Sequence, residues 1–124
     1  MRGLLLCLLL LPAPALAAEE ARCRFDLAML SNGQLREVRQ SVLVTAERHQ
    51  ARVRVTRQGS WGAVRRQLSD GSDQITFDTD STVETITIRG RGIARWDIRS
   101  KGGQPVPNGV AGYSGKCGDW RRKK

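Results

Sequence analysis

The run that decides the fold is Arg22-Cys23-Arg24-Phe25-Asp26-Leu27-Ala28-Met29, in which Cys, Phe, Leu and Met occupy every second position. This period of two is typical of a half-buried β-strand. The turn Ser31-Asn32-Gly33-Gln34 follows, and Asn-Gly between two alternating runs is a strong hairpin signal. The next run places Val38, Val42 and Val44 on one face. The opening of the chain therefore predicts a β-hairpin.

The same alternation continues along the chain. It recurs at residues 52–57, 75–78, 86–89 and 95–99, and after a Gly/Pro-rich loop at 101–109 it returns at 113–117. Seven or eight short strands with regular turns in about 100 residues are typical of a β-sandwich or a small barrel. We expect one all-β domain over residues 18–119, with a basic, disordered tail at 120–124.

Residues 60–68 are open to two interpretations. A strand would put Val64, Arg66 and Leu68 on one side and so bury Arg66. A short helix capped by Ser60 would place a glycine in its first turn, which costs about 1 kcal/mol relative to alanine. The strand is favoured because the neighbouring segments are strands.

The N-terminus has the features of a cleaved signal peptide. An apolar run of eight residues at 4–11 follows Arg2, and Ala15-Leu16-Ala17 supplies the small-x-small pattern of a cleavage site. Eight residues are too few for a membrane span, which needs about 20. We expect cleavage near Ala17, no membrane span, and a periplasmic or secreted mature protein.

Removal of residues 1–17 leaves Cys23 and Cys117 as the two cysteines. An even pair in an exported chain predicts a disulfide. Each cysteine is in register with apolar neighbours on its strand, so the bond would place the first and last strands side by side. That arrangement closes an up-and-down barrel and removes the exposed sheet edges. A sandwich that brings its ends together is the alternative.

The chain is strongly basic, with a formal net charge of +9 and 17 Arg against 4 Lys. Without residues 1–17 it keeps 20 Lys and Arg against 12 Asp and Glu, a net charge of +8. Arginines on the outward face of the strands predict attraction to an anionic polymer or surface, such as lipopolysaccharide, nucleic acid or an acidic glycan. The candidate anion-binding residues are Arg52, Arg54, Arg57, Arg89, Arg95 and Arg99. A compositional preference for arginine without any ligand is the alternative.

Five of the twelve acidic residues lie at positions 70–84, a stretch without Lys or Arg. Two fragments there, Asp70-Gly71-Ser72-Asp73 and Asp78-Thr79-Asp80, resemble parts of a calcium loop but lack the EF-hand spacing. Turn chemistry explains the aspartates, so we predict no metal site. An acidic hairpin could instead contact a secreted protein.

Catalytic motifs are missing from the sequence. Serine and metal hydrolase signatures are not found, and the single histidine, His49, sits in a predicted turn without a partner. We therefore expect no enzymatic activity and no cofactor. Trp61, flanked by glycine and serine, is the candidate exposed contact aromatic, whereas Trp96 and Tyr113 are expected to pack in the barrel.

The opening Cys23-Arg24-Phe25 and the closing Tyr113-Ser114-Gly115-Lys116-Cys117 resemble the terminal strands of small, uncharacterised periplasmic bacterial β-barrel proteins with one disulfide. The resemblance implies architecture only. In size and closure the domain is also similar to periplasmic barrels that inhibit lysozymes or proteases. Three functions follow as hypotheses: an envelope module that binds an anionic polymer, an inhibitor of a secreted hydrolase, and a carrier of a small apolar ligand.

Overall fold

Antiparallel strands make up most of the described chain, as the period of two predicts. The structure, a computed structural model, describes residues 18–103 and 105–122. Its strands are β1 (Glu19–Leu30), β2 (Leu35–Glu47), β3 (Gln50–Val55), β4 (Gly59–Gln67), β5 (Asp73–Asp78), β6 (Thr82–Ile88), β7 (Ile93–Ser100), β8 (Val110–Cys117) and β9 (Arg121–Arg122). Short 3₁₀ turns occur at Gly90–Gly92 and Pro107–Gly109. The predicted signal peptide, residues 1–17, lies outside the described residues.

The sheet closes into a ring. Each strand from β2 to β7 pairs antiparallel with the strand that follows it, and β1 pairs with both β8 and β2. The predicted up-and-down barrel is therefore confirmed, with eight strands in the ring, and the sandwich alternative is excluded. The two-residue β9 pairs with the start of β1, where Arg121 and Arg122 lie opposite Glu20 and Glu19.

The two cysteines join the first and last strands of this ring. Cys23 and Cys117 are directly opposite in the β1–β8 register, both are buried, and their sulfurs are 2.01 Å apart. The predicted disulfide is confirmed. Gly115 allows the close approach of the same two strands, because a Cβ at this position would collide with the carbonyl oxygen of Arg24.

Apolar side chains that point inward fill the middle of the barrel. The buried cluster comprises Phe25, Val42, Val44, Val53, Val55, Ile75, Phe77, Ile86, Ile88, Ala94 and Trp96, together with the two half-cystines. Most of these residues are valine, isoleucine or aromatic, the types that fit a pleated, half-buried surface. Because side chains occupy the centre of so small a barrel, open space can occur only towards its ends.

The two ends of the barrel differ in what surrounds them. We call the mouth the end surrounded by the turns at residues 31–34, 56–58, 79–81 and 101–109, of which residue 104 is not described. We call the tail end the opposite one, surrounded by residues 48–49, 68–72, 89–92 and 118–120.

The segment at residues 60–68 forms a strand, as predicted, but its inward face differs from the predicted one. Trp61 and Arg65 point inward, whereas Val64 is 61% exposed and Arg66 is also exposed. The register with the neighbouring strands is the reason, since Trp61 lies opposite the buried Val53 and stacks on Phe77. Placing the large indole in the lumen buries more apolar surface than placing Val64 there.

The C-terminal segment covers the tail end. Trp120 packs against the core, and its indole Nε1 donates a hydrogen bond to Asp73 Oδ2 at 3.0 Å. The guanidinium of Arg65 lies 4.1 Å from the centre of the Trp120 ring, and its Nε donates to Asp73 Oδ1 at 3.0 Å. The barrel end thus gives Trp120 a cation to stack on and a carboxylate to bind.

The structure therefore contradicts the expected disorder of the tail for residues 120–122, and the β domain extends past residue 119. Arg121 and Arg122 form β9, and their ladder with β1 follows directly from the anchoring of Trp120. The last two residues, Lys123 and Lys124, lie outside the described residues.

Loss of the disulfide should destabilise the barrel strongly. The bond joins residues 94 positions apart. In the chain-entropy model, cross-linking a loop of this length lowers the conformational entropy of the unfolded chain and so raises its free energy by about 4.5 kcal/mol. We expect the double variant Cys23→Ser/Cys117→Ser to lose about 3–4.5 kcal/mol of unfolding free energy in urea titrations. A variant as stable as the oxidised protein would contradict the assigned role of the bond.

Candidate functional site at the barrel mouth

Aromatic side chains concentrate in the half of the barrel near the mouth. Five of the six aromatic residues form one chain of contacts there, and Trp120 at the tail end is the sixth. The centroid distances are 5.7 Å for Trp61–Phe77, 6.5 Å for Phe77–Trp96, 4.6 Å for Trp96–Tyr113 and 5.4 Å for Phe25–Trp96. These separations lie in the range of favourable aromatic pairs. The rings form one continuous aromatic wall.

A cavity of about 380 Å³ lies above this wall and opens at the mouth. Its sides include Trp61, Trp96, Tyr113, Ile98 and Val110, and its polar groups include Thr82 and Glu84. Mostly apolar walls with a few fixed polar groups are typical of small-molecule sites, whose volumes run from about 300 to 1,000 Å³.

Glu84 is the charged group of this cavity. It is only 8% exposed, because the alternation along β6 puts it in phase with the buried Thr82 and Ile86. Its Oε1 accepts a hydrogen bond from Trp96 Nε1 at 2.7 Å, and its Oε2 accepts one from Thr82 Oγ1 at 2.6 Å. The clustering of five acids predicts an exposed hairpin for Glu84, whereas the alternation along β6 places it inside.

The hydroxyl of Thr82 is itself held in place for this donation. Thr79 Oγ1 accepts the backbone N–H of Thr82 at 3.0 Å and lies 2.5 Å from Thr82 Oγ1. Thr79 Oγ1 accepts the backbone N–H groups of Ser81 and Thr82. Because the Thr82 hydroxyl hydrogen is donated to Glu84, the Thr79 hydroxyl donates to Thr82 Oγ1. An indole N–H can only donate, so both oxygens of Glu84 act as hydrogen-bond acceptors.

Trp61, the predicted exposed contact aromatic, lies at this cavity and is half-buried. Its ring stacks on Phe77 at an interplanar angle of 26°. Trp96 is buried, as predicted, and Tyr113 is half-buried against the core. A contact role for Trp61 stays a prediction. The structure places its side chain at the mouth cavity.

The predicted anion-binding arginines do not form one face. All six are exposed, but Arg52 and Arg54 lie on β3 while Arg95 and Arg99 lie on β7. These strands are four apart in a ring of eight, and so lie on opposite sides of the barrel. The remaining two are in turns at opposite ends: Arg57 lies at the mouth and Arg89 at the tail end.

A denser group of cations lies on β1 and its neighbours. Arg24 is opposite Lys116 in the β1–β8 register, Arg22 is two residues along β1, and Arg54 is separated from Arg22 by Leu43. All four cations are exposed. We call them the basic patch. Sequence analysis missed three of them, although the inward positions of Cys23, Phe25 and Cys117 imply that the intervening cations point outward.

The acidic stretch at residues 70–84 is distributed over three places. Asp70 and Asp73 are at the tail end, Asp78 and Asp80 are at the mouth, and Glu84 is inside. The Ser72 hydroxyl and backbone N–H donate to the Asp70 carboxylate and lower its pKa. The stretch therefore presents no single acidic hairpin to a partner protein.

Other kinds of site are not evident in the described part of the chain. Residues 18–103 and 105–122 contain no group of three His, Cys, Asp or Glu side chains suited to a metal ion. The same residues include no helix long and apolar enough to cross a membrane. His49 is exposed in the turn between β2 and β3. Lack of enzymatic activity stays a prediction.

Replacing Thr82 with valine tests the hydrogen bonds that hold the buried Glu84 side chain. Thr82→Val keeps the side-chain shape but removes the donor to Glu84 Oε2, so we expect a loss of about 2 kcal/mol of unfolding free energy. Thr87→Val, on the outward face of the same strand, is the matched control and should change stability little. Equal effects of the two substitutions would contradict the buried carboxylate network.

Comparison with protein-family models, curated proteins and solved structures gives no match for this chain. The resemblance to small periplasmic barrel proteins accordingly stays a prediction. The function of the mouth has to be inferred from its residues and their geometry.

Proposed function

We propose that this protein is an exported, non-enzymatic binding module that holds a small ligand in the mouth of its barrel. The observation that carries the proposal is the cavity of about 380 Å³ walled by Trp61, Trp96 and Tyr113. Closed barrels of eight strands have room for one small ligand where side chains leave the lumen open. Among the three sequence-based hypotheses, this is the small-ligand carrier.

The strand positions of the aromatic side chains support a binding role. Trp61, Trp96 and Tyr113 stand on strands paired on both sides, and Trp96 is held by its hydrogen bond to Glu84, whereas turns contribute Gln58, Thr79, Pro107 and Asn108. A preorganised site loses little conformational entropy when a ligand enters. The disulfide supports an oxidising compartment, as an exported protein requires.

Nuclear magnetic resonance with a panel of small fragments tests this proposal. We expect fragments that bind to shift the resonances of Trp61, Trp96 and Tyr113, because these rings line the cavity. The indole signal of Trp120 at the tail end is the internal control and should not move. A panel that shifts no mouth resonance, or that shifts mainly resonances elsewhere, would contradict a ligand site at the mouth.

A second candidate function is binding of an anionic polymer or surface at the basic patch. The observation that favours it is the register, which sets Arg24 directly beside Lys116 with Arg22 close by on the same outer face. Of the nearest acids on β1, Glu20 forms an ion pair of 4.0 Å with the highly exposed Arg22, and Asp26 follows Arg24 along the strand. In this function the protein would contact phosphates or carboxylates through the basic patch, which is a different surface from the mouth.

Salt-dependent retention on a heparin column separates a local patch from overall charge. Arg24→Gln/Lys116→Gln should elute at clearly lower salt than the wild type, because each lost contact reduces counterion release. Arg66→Gln/Arg99→Gln removes the same charge from exposed positions outside the patch and should elute near the wild type. Equal shifts for both double variants would mean that net charge alone governs binding.

A further inference from the structure

We propose that the ligand of the mouth cavity is a small organic cation, an amine or quaternary ammonium compound, with its charge at Glu84 and its carbon substituents against the aromatic wall. The inference rests on the proposed ligand site and names the chemical class that this site would take. It follows from three features of the cavity: an unpaired carboxylate, aromatic walls, and a lining without Lys or Arg in the described residues.

The two buried carboxylates of the barrel give the first argument. Asp73 and Glu84 are each 8% exposed, and each accepts a hydrogen bond from an indole N–H. Asp73 also has a cation, since Arg65 Nε lies 3.0 Å from its Oδ1. Among the described residues no ion pair involves Glu84. The carboxylate at the mouth thus lacks the counter-charge that its equivalent at the tail end possesses.

A buried charge without a partner is unfavourable, so an incoming cation gains more at Glu84 than at an exposed carboxylate. Each oxygen of Glu84 accepts one hydrogen bond and keeps acceptor capacity for another. The donors fix the carboxylate in place, and a cation therefore meets it without reorganisation. An anionic ligand would be repelled at the same position.

The aromatic walls give the second argument. Trp61, Trp96 and Tyr113 all line the cavity that holds Glu84. The faces of indole and phenol rings carry negative partial charge and attract organic cations, and quaternary ammonium groups are recognised in such aromatic cages. Apolar walls also favour the alkyl groups of an organic cation over the water shell of an inorganic one.

Metal ions and rim cations do not meet these conditions. A hard metal ion needs several oxygen ligands, and the described residues contain no group of three acidic, His or Cys side chains suited to one. At the rim, Arg57 is exposed in the turn at residues 56–58 and does not line the cavity. The Lys101 ammonium is held by the Thr79 carbonyl at 2.8 Å and by Asp78 at 3.5 Å. Lys101 is thereby engaged outside the cavity, and the charge of Glu84 remains for a ligand.

Titration with a matched pair of probes tests the ligand class. Choline is a small quaternary ammonium compound, and 3,3-dimethylbutan-1-ol has the same shape without the charge. We expect choline to bind at least about tenfold more tightly than the alcohol. Binding is measured from the resonances of Trp61, Trp96 and Tyr113. Benzyltrimethylammonium, which adds one ring, should bind more tightly than choline because it buries more apolar surface.

Two variants that each remove one negative charge separate the role of Glu84 from an effect of the overall charge of the protein. Glu84→Gln should reduce the affinity for choline to that for the alcohol, whereas Glu47→Gln, exposed at the tail end of β2, should leave it unchanged. Trp61→Ala, at a half-buried position, provides a second variant and should weaken binding of both quaternary ammonium probes. Thermal unfolding of each variant establishes that it is folded.

The outcomes distinguish the ligand class from the ligand site. Equal affinity for choline and its neutral analogue, or an unchanged affinity in Glu84→Gln, would overturn the cation inference while the small-ligand proposal stands. If these probes and the fragment panel all leave the mouth resonances unmoved, both the ligand site and the cation inference fail.

Discussion

The pairing of β1 with β8, locked by the bond between Cys23 and Cys117, is the constraint on which the structure depends. Without it, eight sequential hairpin strands would form an open sheet with two exposed edges. With it, the sheet becomes a tube, and inward and outward become fixed directions for every residue. The core, the basic patch and the mouth cavity all follow from that assignment of faces. The same pairing places Arg24 beside Lys116, so the closure that forms the lumen also concentrates charge on its outside.

The two ends of the barrel each contain a buried carboxylate but differ in whether the chain supplies a counter-charge. Each end contains a buried carboxylate bound by an indole N–H: Asp73 with Trp120 at one end, and Glu84 with Trp96 at the other. The tail end is completed from within the chain, because Arg65 supplies the counter-charge and Trp120 covers the opening. The mouth has aromatic walls and a cavity beside Glu84, and no Lys or Arg of the described residues lines it. This asymmetry is the physical basis for assigning the binding role to the mouth.

Features that depend on local pattern could be predicted from the sequence. The strands, the Asn32-Gly33 turn and the closing disulfide follow from period-two alternation, turn chemistry and an even pair of cysteines. Features that depend on the register between distant strands could not. The inward face of β4 was mispredicted because it is set by Trp61 stacking on Phe77, and the six arginines were grouped without knowing that β3 and β7 lie opposite each other. Sequence clustering does not distinguish Glu84 from its acidic neighbours, whereas the position of Glu84 on the inward face of β6 does.

The central claim is that the closed barrel holds the buried carboxyl group of Glu84 at its mouth without a counter-charge of its own. The ¹³C chemical shift of the Glu84 carboxyl carbon, measured at pH 7 before and after addition of benzyltrimethylammonium, tests it most directly. We predict that the shift changes when the cation is added. A carboxyl carbon shift that does not respond to the cation would contradict the account.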